Sequence, residues 1–305
     1  MVDSTRPSTR SRPKLPHNER PHTLAFEAIG TGWSLDTARP ILPELEAAIG
    51  ARIEEFDRTW SRFRDDSLVS RIESTPGVWE FPADAPPLFE LYRRLYTATD
   101  GAVSPLVGRA LENMGYDRAY SLRASGGPVA VPAWDDAVAW DGRALTTVRP
   151  VSIDVGAAGK GYLVDIVSEL LVAGGHENFI VDGSGDIRQL GPNPIRVALE
   201  HPLDTSKAIG VALVHNGAIC SSAINRRAWG NGLHHVIDAT TGLPTRRVIA
   251  TWAIAATALE ADGLATALFF ADPTRLALDF EYSYVRMLST GTVEFSPNLD
   301  GELFT

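Results

Sequence analysis

The sequence is poor in cysteine, in long apolar runs and in positive charge. Its single cysteine, Cys220, excludes an internal disulfide and a cysteine-based zinc or iron–sulfur cluster. No stretch reaches the roughly 18 consecutive apolar residues that a membrane helix needs, so we expect no membrane insertion. The 28 Lys and Arg residues against 38 Asp and Glu give a net charge of −10, which argues against nucleic-acid binding through bulk charge.

The N-terminal residues lack the hydrophobic stretch of a secretory signal or a lipoprotein anchor. They are rich in Arg, Ser and Pro, so we expect residues 1–22 to form a disordered tail of a cytoplasmic protein. A transit peptide is the weaker alternative, because Pro7, Pro13 and Pro16 disfavour its amphipathic helix. Residues 23–305 are long enough to fold as one large domain with a buried core.

Apolar periodicity and turn residues place the main elements. Helices are predicted over 42–60, 67–73, 86–98, 163–173 and 259–271. Strands are predicted over 24–35 (a pair broken at 30–32), 148–155, 178–181, 195–200, 208–215, 217–221, 234–238, 248–256, 282–288 and 291–295.

The order of these elements indicates the fold class. Helices and strands are interleaved, but hairpin-like strand pairs dominate the second half. This pattern favours an α+β fold with a mixed or mostly antiparallel sheet and packed helices over a doubly wound parallel sheet.

A glycine-rich turn, Gly156-Ala157-Ala158-Gly159-Lys160-Gly161, joins a predicted strand to a predicted helix. Helix N-termini present free N–H groups that bind phosphates, and Lys160 would add positive charge. The Walker A pattern is not met, because the loop is too short and Gly161 occupies the place of the magnesium-binding Ser or Thr. On this segment alone, a phosphate site and a purely structural turn are equally supported.

Two further segments combine candidate chemistry with a structural alternative. Gly183-Ser184-Gly185 is similar to a dinucleotide fingerprint, but Arg188 replaces the third glycine, so a glycine-lined turn is favoured.

His234 and His235 point to opposite sides of one predicted strand and are poorly placed to share a metal. One could act as a general base, although a polar strand edge is slightly favoured. A zinc hydrolase that also uses Asp238 is a distant alternative.

Asp262 and Thr266 lie four residues apart and share one face of the predicted helix over 259–271. A carboxylate and a hydroxyl at the border of the apolar stripe could hold a hard cation such as Mg²⁺. On spacing alone, a solvated helix flank is the favoured interpretation.

The order of these features resembles the FAD:protein FMN transferase family, also called ApbE, from about Phe26 to Phe270. The two most specific segments are DVGAAGKG, similar to the family's Asp-Leu-Gly-x-x-x-Lys-Gly, and ADGLAT, similar to its Ala-Asp-Ala-x-x-Thr, with Gly263 in place of the second Ala. The other matching segments are AFEAIGTGWSL (25–35), FDRTWSRFRDDSLVSRI (56–72), VDGSGDIRQLG (181–191) and HHVIDATTGLP (234–244).

The resemblance implies a T-fold-like α+β domain that binds FAD as its substrate, with Mg²⁺ beside the pyrophosphate. It implies that the pyrophosphate is cleaved, that FMN moves onto a Thr or Ser hydroxyl of an acceptor protein through a phosphodiester, and that AMP leaves. The expected cofactor is therefore Mg²⁺, and the expected partners are FAD and an acceptor protein.

The resemblance also assigns residues by position. Asp262, Thr266 and the main-chain carbonyl of Ala157 would be the Mg²⁺ ligands, and Ala265 matches a further metal contact in some relatives. His235 matches the histidine proposed to activate the acceptor hydroxyl. The contacts to FAD would be Ile29, Phe63, Gly101, Ala102, Val103, Ser104, Asp154, Lys160 and Val236.

Several flavin-side and acceptor-side positions depart from the family pattern. Ser104 stands where the family has Asp, and Ala223 stands where it has Gly before the histidine strand. The metal and phosphate positions are kept, so FMN transfer is the favoured function. The alternatives are a pyrophosphatase that releases FMN and AMP, and a flavin-binding or storage protein that has lost the chemistry. The acceptor is expected to be cytoplasmic or to face the cytoplasm.

Overall fold

The computed structural model describes residues 22–230 and 232–304. The predicted tail lies outside this range except for His22, which is the first residue of the first strand. Across the described residues, no helix is both long enough and apolar enough to cross a bilayer.

The first half of the chain contains most of the helices. Its elements are β1 (His22–Ala28), β2 (Thr31–Thr37), α1 (Pro43–Trp60), α2 (Leu68–Ser74), β3 (Gly77–Glu80), α3 (Pro86–Ala98), α4 (Gly108–Asn113), α5 (Trp134–Ala137), β4 (Val138–Trp140), β5 (Ala144–Thr147) and α6 (Gly159–Ala173).

The second half is mostly strands. Its elements are β6 (Phe179–Asp182), β7 (Ile187–Leu190), β8 (Ile195–Glu200), β9 (Ala208–Val214), β10 (Gly217–Ala223), β11 (Ala228–Trp229), β12 (Leu233–His234), β13 (Ile237–Asp238), β14 (Leu243–Pro244), β15 (Val248–Ala255), α7 (Ala258–Ala267), α8 (Pro273–Leu276), β16 (Ser283–Leu288), β17 (Val293–Phe295) and β18 (Gly301–Leu303).

The central element is an eight-stranded sheet in the order β1-β2-β6-β7-β10-β15-β16-β17. Every strand pair recorded among the described residues is antiparallel, which confirms the predicted α+β class. Two three-stranded sheets, β3-β5-β4 and β18-β9-β8, and two short ribbons complete the strands. The helices are packed against this framework, as predicted.

Helices α6 and α7 form the core beside the sheet. Leu163, Val167 and Leu171 of α6 and Leu264 of α7 are completely buried. The two helices approach closely at Gly161, where an added Cβ would lie 2.1 Å from the carbonyl oxygen of Ala258 and 2.6 Å from the Cβ of Asp262. A glycine is therefore needed at this position to seat α7 on the first turn of α6.

Replacing Gly161 with Ala is expected to destabilise the protein by about 3 kcal/mol, because overpacking against backbone costs about 1–3 kcal/mol or more. Chemical denaturation followed by circular dichroism measures this loss. Gly50→Ala in α1 is the control, because an added Cβ there has no neighbour within 4 Å. Equal stability of the two variants would contradict the close approach at Gly161.

Two predicted strands are wrong. Residues 148–155 do not form a strand after β5 ends at Thr147. They run beside the 105–108 turn, where the Gly108 amide donates to the Ser152 carbonyl at 3.2 Å and the Asp154 amide donates to the Pro105 carbonyl at 2.8 Å. The alternating apolar residues Val151, Ile153 and Val155 favoured a strand, but they are buried without being part of one. Residues 234–238 are divided between β12 and β13 by a bend.

Candidate active site

A cavity of about 1160 Å³ opens where the β1–β2 turn, the glycine-rich turn, the end of β10 and α7 meet. Its volume slightly exceeds the roughly 300–1,000 Å³ typical of small-molecule pockets. The sequence-predicted site residues that line it are Ile29, Phe63, Ala102, Val103, Ser104, Asp154, Ala157, Lys160, His235, Val236, Asp262 and Thr266.

Two sequence-predicted residues do not line this cavity. Ala265 is completely buried, and its carbonyl oxygen accepts a hydrogen bond from the Thr251 hydroxyl at 2.6 Å. Gly101 closes the end of α3 with a positive φ of 87°, and its amide donates to the Tyr96 carbonyl. Each of these residues directly precedes a lining residue in the chain, Ala102 or Thr266, but does not line the cavity itself.

Three residues from two distant stretches of chain, Ala157, Asp262 and Thr266, supply oxygen atoms to the lining of the cavity, and we call this part its floor. The Thr266 hydroxyl donates to the main-chain carbonyl of Ala157 at 3.3 Å. Asp262, only 6 % exposed, accepts a hydrogen bond from the Gly161 amide at 2.9 Å. A carboxylate, a hydroxyl and a carbonyl are hard donors, and Mg²⁺ is commonly held by one or two carboxylates with substrate phosphate and water. These residues therefore fit a magnesium ion.

Lys160 also lines the cavity, and a buried aspartate that the sequence analysis did not assign to the site holds it. Its Nζ lies 2.7 Å from Oδ2 of Asp186, which is 1 % exposed, and donates to the Gly183 carbonyl at 2.8 Å. Burial opposes the charge on Lys160, but Asp186 and Asp262 outweigh it, and the pKa of Lys160 rises. Burial, together with the charge of Asp186, raises the pKa of Asp262 well above its usual range. A cation at the floor would relieve this crowding of buried carboxylates.

Asp154 is neutralised by Arg62, which the sequence analysis did not assign to the site. The Arg62 guanidinium, whose side chain is 3 % exposed, donates through Nε to Oδ2 of Asp154 at 2.5 Å. The other carboxylate oxygen accepts from the Gly156 amide at 2.7 Å. Burial favours the neutral acid, but Arg62 and the Gly156 amide outweigh it and lower the pKa of Asp154. The pair fixes the first residues of the glycine-rich turn.

An aromatic wall borders the cavity next to Arg62. The ring of Phe63 stacks on Tyr120 at 5.1 Å and meets Tyr116 edge-on at 5.5 Å. The Arg62 guanidinium lies 4.2 Å from the centre of the Phe63 ring. Such flat surfaces bind planar rings by stacking. Sequence reasoning identified Phe63 but missed the two tyrosines.

The two adjacent histidines have different surroundings. The Val236 amide donates to Nδ1 of His234, so Nε2 carries the proton and donates to the Thr245 carbonyl at 2.8 Å. His235 instead lines the cavity, and its Nδ1 has no hydrogen-bond partner among the described residues. Burial and the charge of Arg227 lower the pKa of His235 to about 4. His235, not His234, therefore faces the cavity, and its ring is neutral at physiological pH.

The zinc alternative finds no support in this arrangement. Neither His234 nor His235 shares a hydrogen-bonding group with Asp238, whose side chain instead caps the turn at Thr240. Within the described ranges, no three His, Cys, Asp or Glu side chains are grouped to hold a metal ion. The candidate magnesium site differs, because it combines one such side chain with a hydroxyl and a carbonyl.

The ApbE family model matches residues 29–281, which is most of the chain and includes the whole cavity floor. The chain belongs to the ApbE family. It is 26 % identical over 278 residues to the FAD:protein FMN transferase of Klebsiella pneumoniae strain 342, covering 83 % of this chain and 79 % of that relative. It is 29 % identical over 255 residues to the FAD:protein FMN transferase of Vibrio cholerae, covering 73 % and 72 %.

A solved ApbE structure has the same fold. The ApbE protein of Thermotoga maritima superposes with a TM-score of 0.81 at 25 % identity, and the match covers 91 % of this chain and 97 % of that one. The ApbE-like architecture expected from the sequence is therefore confirmed. Membership of the family explains why the glycine-rich turn and α7 carry the most specific sequence segments.

Proposed function

We propose that this protein is an FAD:protein FMN transferase that uses Mg²⁺. The observation that carries the proposal is that Ala157, Lys160, Asp262 and Thr266 all line one cavity large enough for a dinucleotide. The cavity joins this charged floor to an aromatic wall, as a ligand with a diphosphate and a flavin ring requires. The relatives' activity is consistent with this arrangement.

The proposed reaction exchanges a phosphoanhydride bond for a phosphoester bond. The acceptor hydroxyl oxygen attacks the phosphorus on the FMN side of the FAD pyrophosphate, and the bond to the bridging oxygen breaks. FMN becomes attached to the acceptor as a phosphodiester, and AMP leaves with the bridging oxygen. His235 accepts the hydroxyl proton, because its ring is neutral at physiological pH.

The other residues position the substrate and balance its charge. Lys160 faces the diphosphate, and the Arg62–Asp154 pair holds the turn that presents it. Asp262, Thr266 and the Ala157 carbonyl would hold Mg²⁺, which neutralises charge on the phosphate oxygens. Phe63, Tyr116 and Tyr120 border the space for the isoalloxazine ring. The cytoplasmic location of the protein and its acceptor stays a prediction.

One experiment distinguishes transfer from the two alternatives. The protein is incubated with FAD, Mg²⁺ and a total protein extract of its source organism, and the products are analysed by mass spectrometry. FMN attached to a Thr or Ser together with free AMP supports transfer. Free FMN and AMP without labelled protein would identify a pyrophosphatase, and intact bound FAD would identify a flavin-binding protein.

His235→Gln is expected to lower the transfer rate by about a hundredfold to ten-thousandfold, the usual contribution of a general base, with FAD affinity unchanged. Because the pKa of His235 is about 4, the wild-type rate should be level from pH 8 to about pH 5 and fall below that as the ring is protonated. Stopped-flow transfer assays across this pH range, with FAD affinity from flavin fluorescence, test both statements.

His234→Gln is the matched control, because it removes the hydrogen bond to Thr245 without touching the cavity. It is expected to lower thermal stability while leaving the pH profile intact. The assignment of His235 fails if the two variants lose transfer activity equally.

A further inference from the structure

One edge of β10 lacks a strand partner in the middle of the central sheet. Strand β7 pairs only with the first three residues of β10, Gly217 to Ile219, whereas β15 pairs with β10 as far as Ala223. Within residues 22–230 and 232–304, Cys220–Ala223 therefore have a ladder partner on one side only. An open strand edge presents unpaired N–H and C=O groups, which can bind another extended segment.

The edge is open because a tight turn ends β7 early. Gly183 to Asp186 reverse the chain between β6 and β7, with the Gly183 amide donating to the Asp186 carbonyl at 2.8 Å. Ser184 and Gly185 both have positive φ, 61° and 100°, as this turn requires. The pairing of β7 with β10 therefore ends at Ile219. A gap remains between the Gly183–Asp186 turn and residues Cys220–Ala223 of β10, and we call this gap the slot.

A second cavity of about 460 Å³ lies against this slot. It is walled on its outer side by Val197 and Ala198 of β8 and by the loop over 202–207. The slot joins it to the main cavity, because the lining residues common to both are Asp182, Ser221, Ser222, Ala223 and Arg226.

The open edge is also close to the proposed transfer centre. The Thr251 hydroxyl lies 3.4 Å from the Ser222 carbonyl and 2.6 Å from the Ala265 carbonyl. Ala265 precedes Thr266, whose hydroxyl meets the Ala157 carbonyl on the cavity floor. In a segment paired with β10, the side chain of one residue would therefore reach the floor of the main cavity.

The charged groups around the second cavity have partners within the protein. The Arg226 guanidinium lies 2.5 Å from the Glu200 carboxylate, and Lys207 lies 2.9 Å from Asp204. Asp182, which also lines this cavity, accepts a hydrogen bond from the Gly185 amide at 2.7 Å. The feature of this cavity that an extended segment can bind is therefore the edge of β10.

We infer that the acceptor protein presents its Thr or Ser within an extended segment that lies in the second cavity and pairs with β10 at Cys220–Ala223. This inference rests on the proposed FMN transfer and names where its protein substrate binds. Backbone pairing supplies affinity that depends little on side chains, and the slot directs one hydroxyl onto the diphosphate.

A pair of exposed positions on β8 tests the inference. Ala198 lines the second cavity, whereas Arg196, two residues away on the same face of the strand, does not. Ala198→Trp should fill the cavity and lower FMN labelling of proteins in the source organism's extract by at least about tenfold, read as flavin fluorescence in denaturing gels. Its FAD dissociation constant should stay unchanged, and Arg196→Trp should behave as wild type.

Each other outcome has a separate meaning. Equal labelling by Ala198→Trp and Arg196→Trp would overturn the inference, and so would weaker FAD binding by Ala198→Trp, because the second cavity would then belong to the FAD site. If the wild-type protein labels nothing in the extract, the proposed function itself is wrong and the docking site falls with it.

Amide exchange gives a second, independent readout. The labelled peptide found by mass spectrometry is resynthesised with a side chain that cannot react, Val for Thr or Ala for Ser, and is added to the wild-type protein. Slower exchange of the amides over 220–223 in the presence of this peptide supports pairing with β10. Full protection of the same amides by FAD alone, with no further effect of the peptide, would contradict it.

Discussion

Replacing Asp262 with Asn is expected to reduce Mg²⁺-dependent AMP release from FAD by about a thousandfold or more, because metal charge stabilisation is worth several kcal/mol. Asn can still accept the hydrogen bond from the Gly161 amide, so the joint between α6 and α7 should remain. The change removes the Asp262 carboxylate, whose charged form is destabilised by burial and by the charge of Asp186. Thermal unfolding without metal should therefore occur at or above the wild-type temperature.

The Asp262→Asn result is checked by measuring AMP release and the Mg²⁺-induced shift in melting temperature in parallel. Both should disappear in the variant. Glu260→Gln, on the same helix but paired with Arg94 outside the cavity, should retain both. Wild-type turnover by Asp262→Asn would remove this residue from the metal site.

Replacing Lys160 with Met should have two separate effects. Transfer should fall by about a hundredfold to a thousandfold, the usual loss when a preorganised charge facing the reacting group is removed. The free energy of unfolding should also fall by about 3 kcal/mol, because Asp186 loses its buried ion-pair partner. Urea denaturation and transfer assays measure these effects independently.

A double variant, Lys160→Met with Asp186→Asn, separates catalysis from stability. Removing both members of a buried ion pair costs less than removing one, so most of the stability should return. The transfer rate should not return, because the positive charge beside the diphosphate is still absent. Recovery of the rate would mean that Lys160 acts only by supporting the fold.

The parts of the site that sequence could predict share a local signature. The spacing of Asp262 and Thr266 places both on one face of a helix, and the glycine-rich turn before α6 is visible as a composition change. Helices α1 and α2 lie within one residue of the helices predicted over 42–60 and 67–73. In each case the residues that decide the structure lie within a few positions of each other.

The missed residues depend on contacts between distant parts of the chain. Arg62 is in a polar segment typical of the surface, yet its side chain is buried because Asp154, 92 residues later, receives it. Asp186 becomes the partner of Lys160 only once the β6–β7 turn is folded over α6. Strand alternation likewise placed the two histidines on opposite sides, but only packing decides that His235 is the one facing the cavity.

The proposed metal site is built from both sides of the joint between α6 and α7, so it is complete only in the finished fold. A polypeptide still emerging from the ribosome exposes the lysine-bearing turn about a hundred residues before Asp262 and Thr266 are made. On the proposed function, a chain in which α7 has not yet docked would lack its carboxylate and hydroxyl ligands for Mg²⁺ and would not cleave FAD.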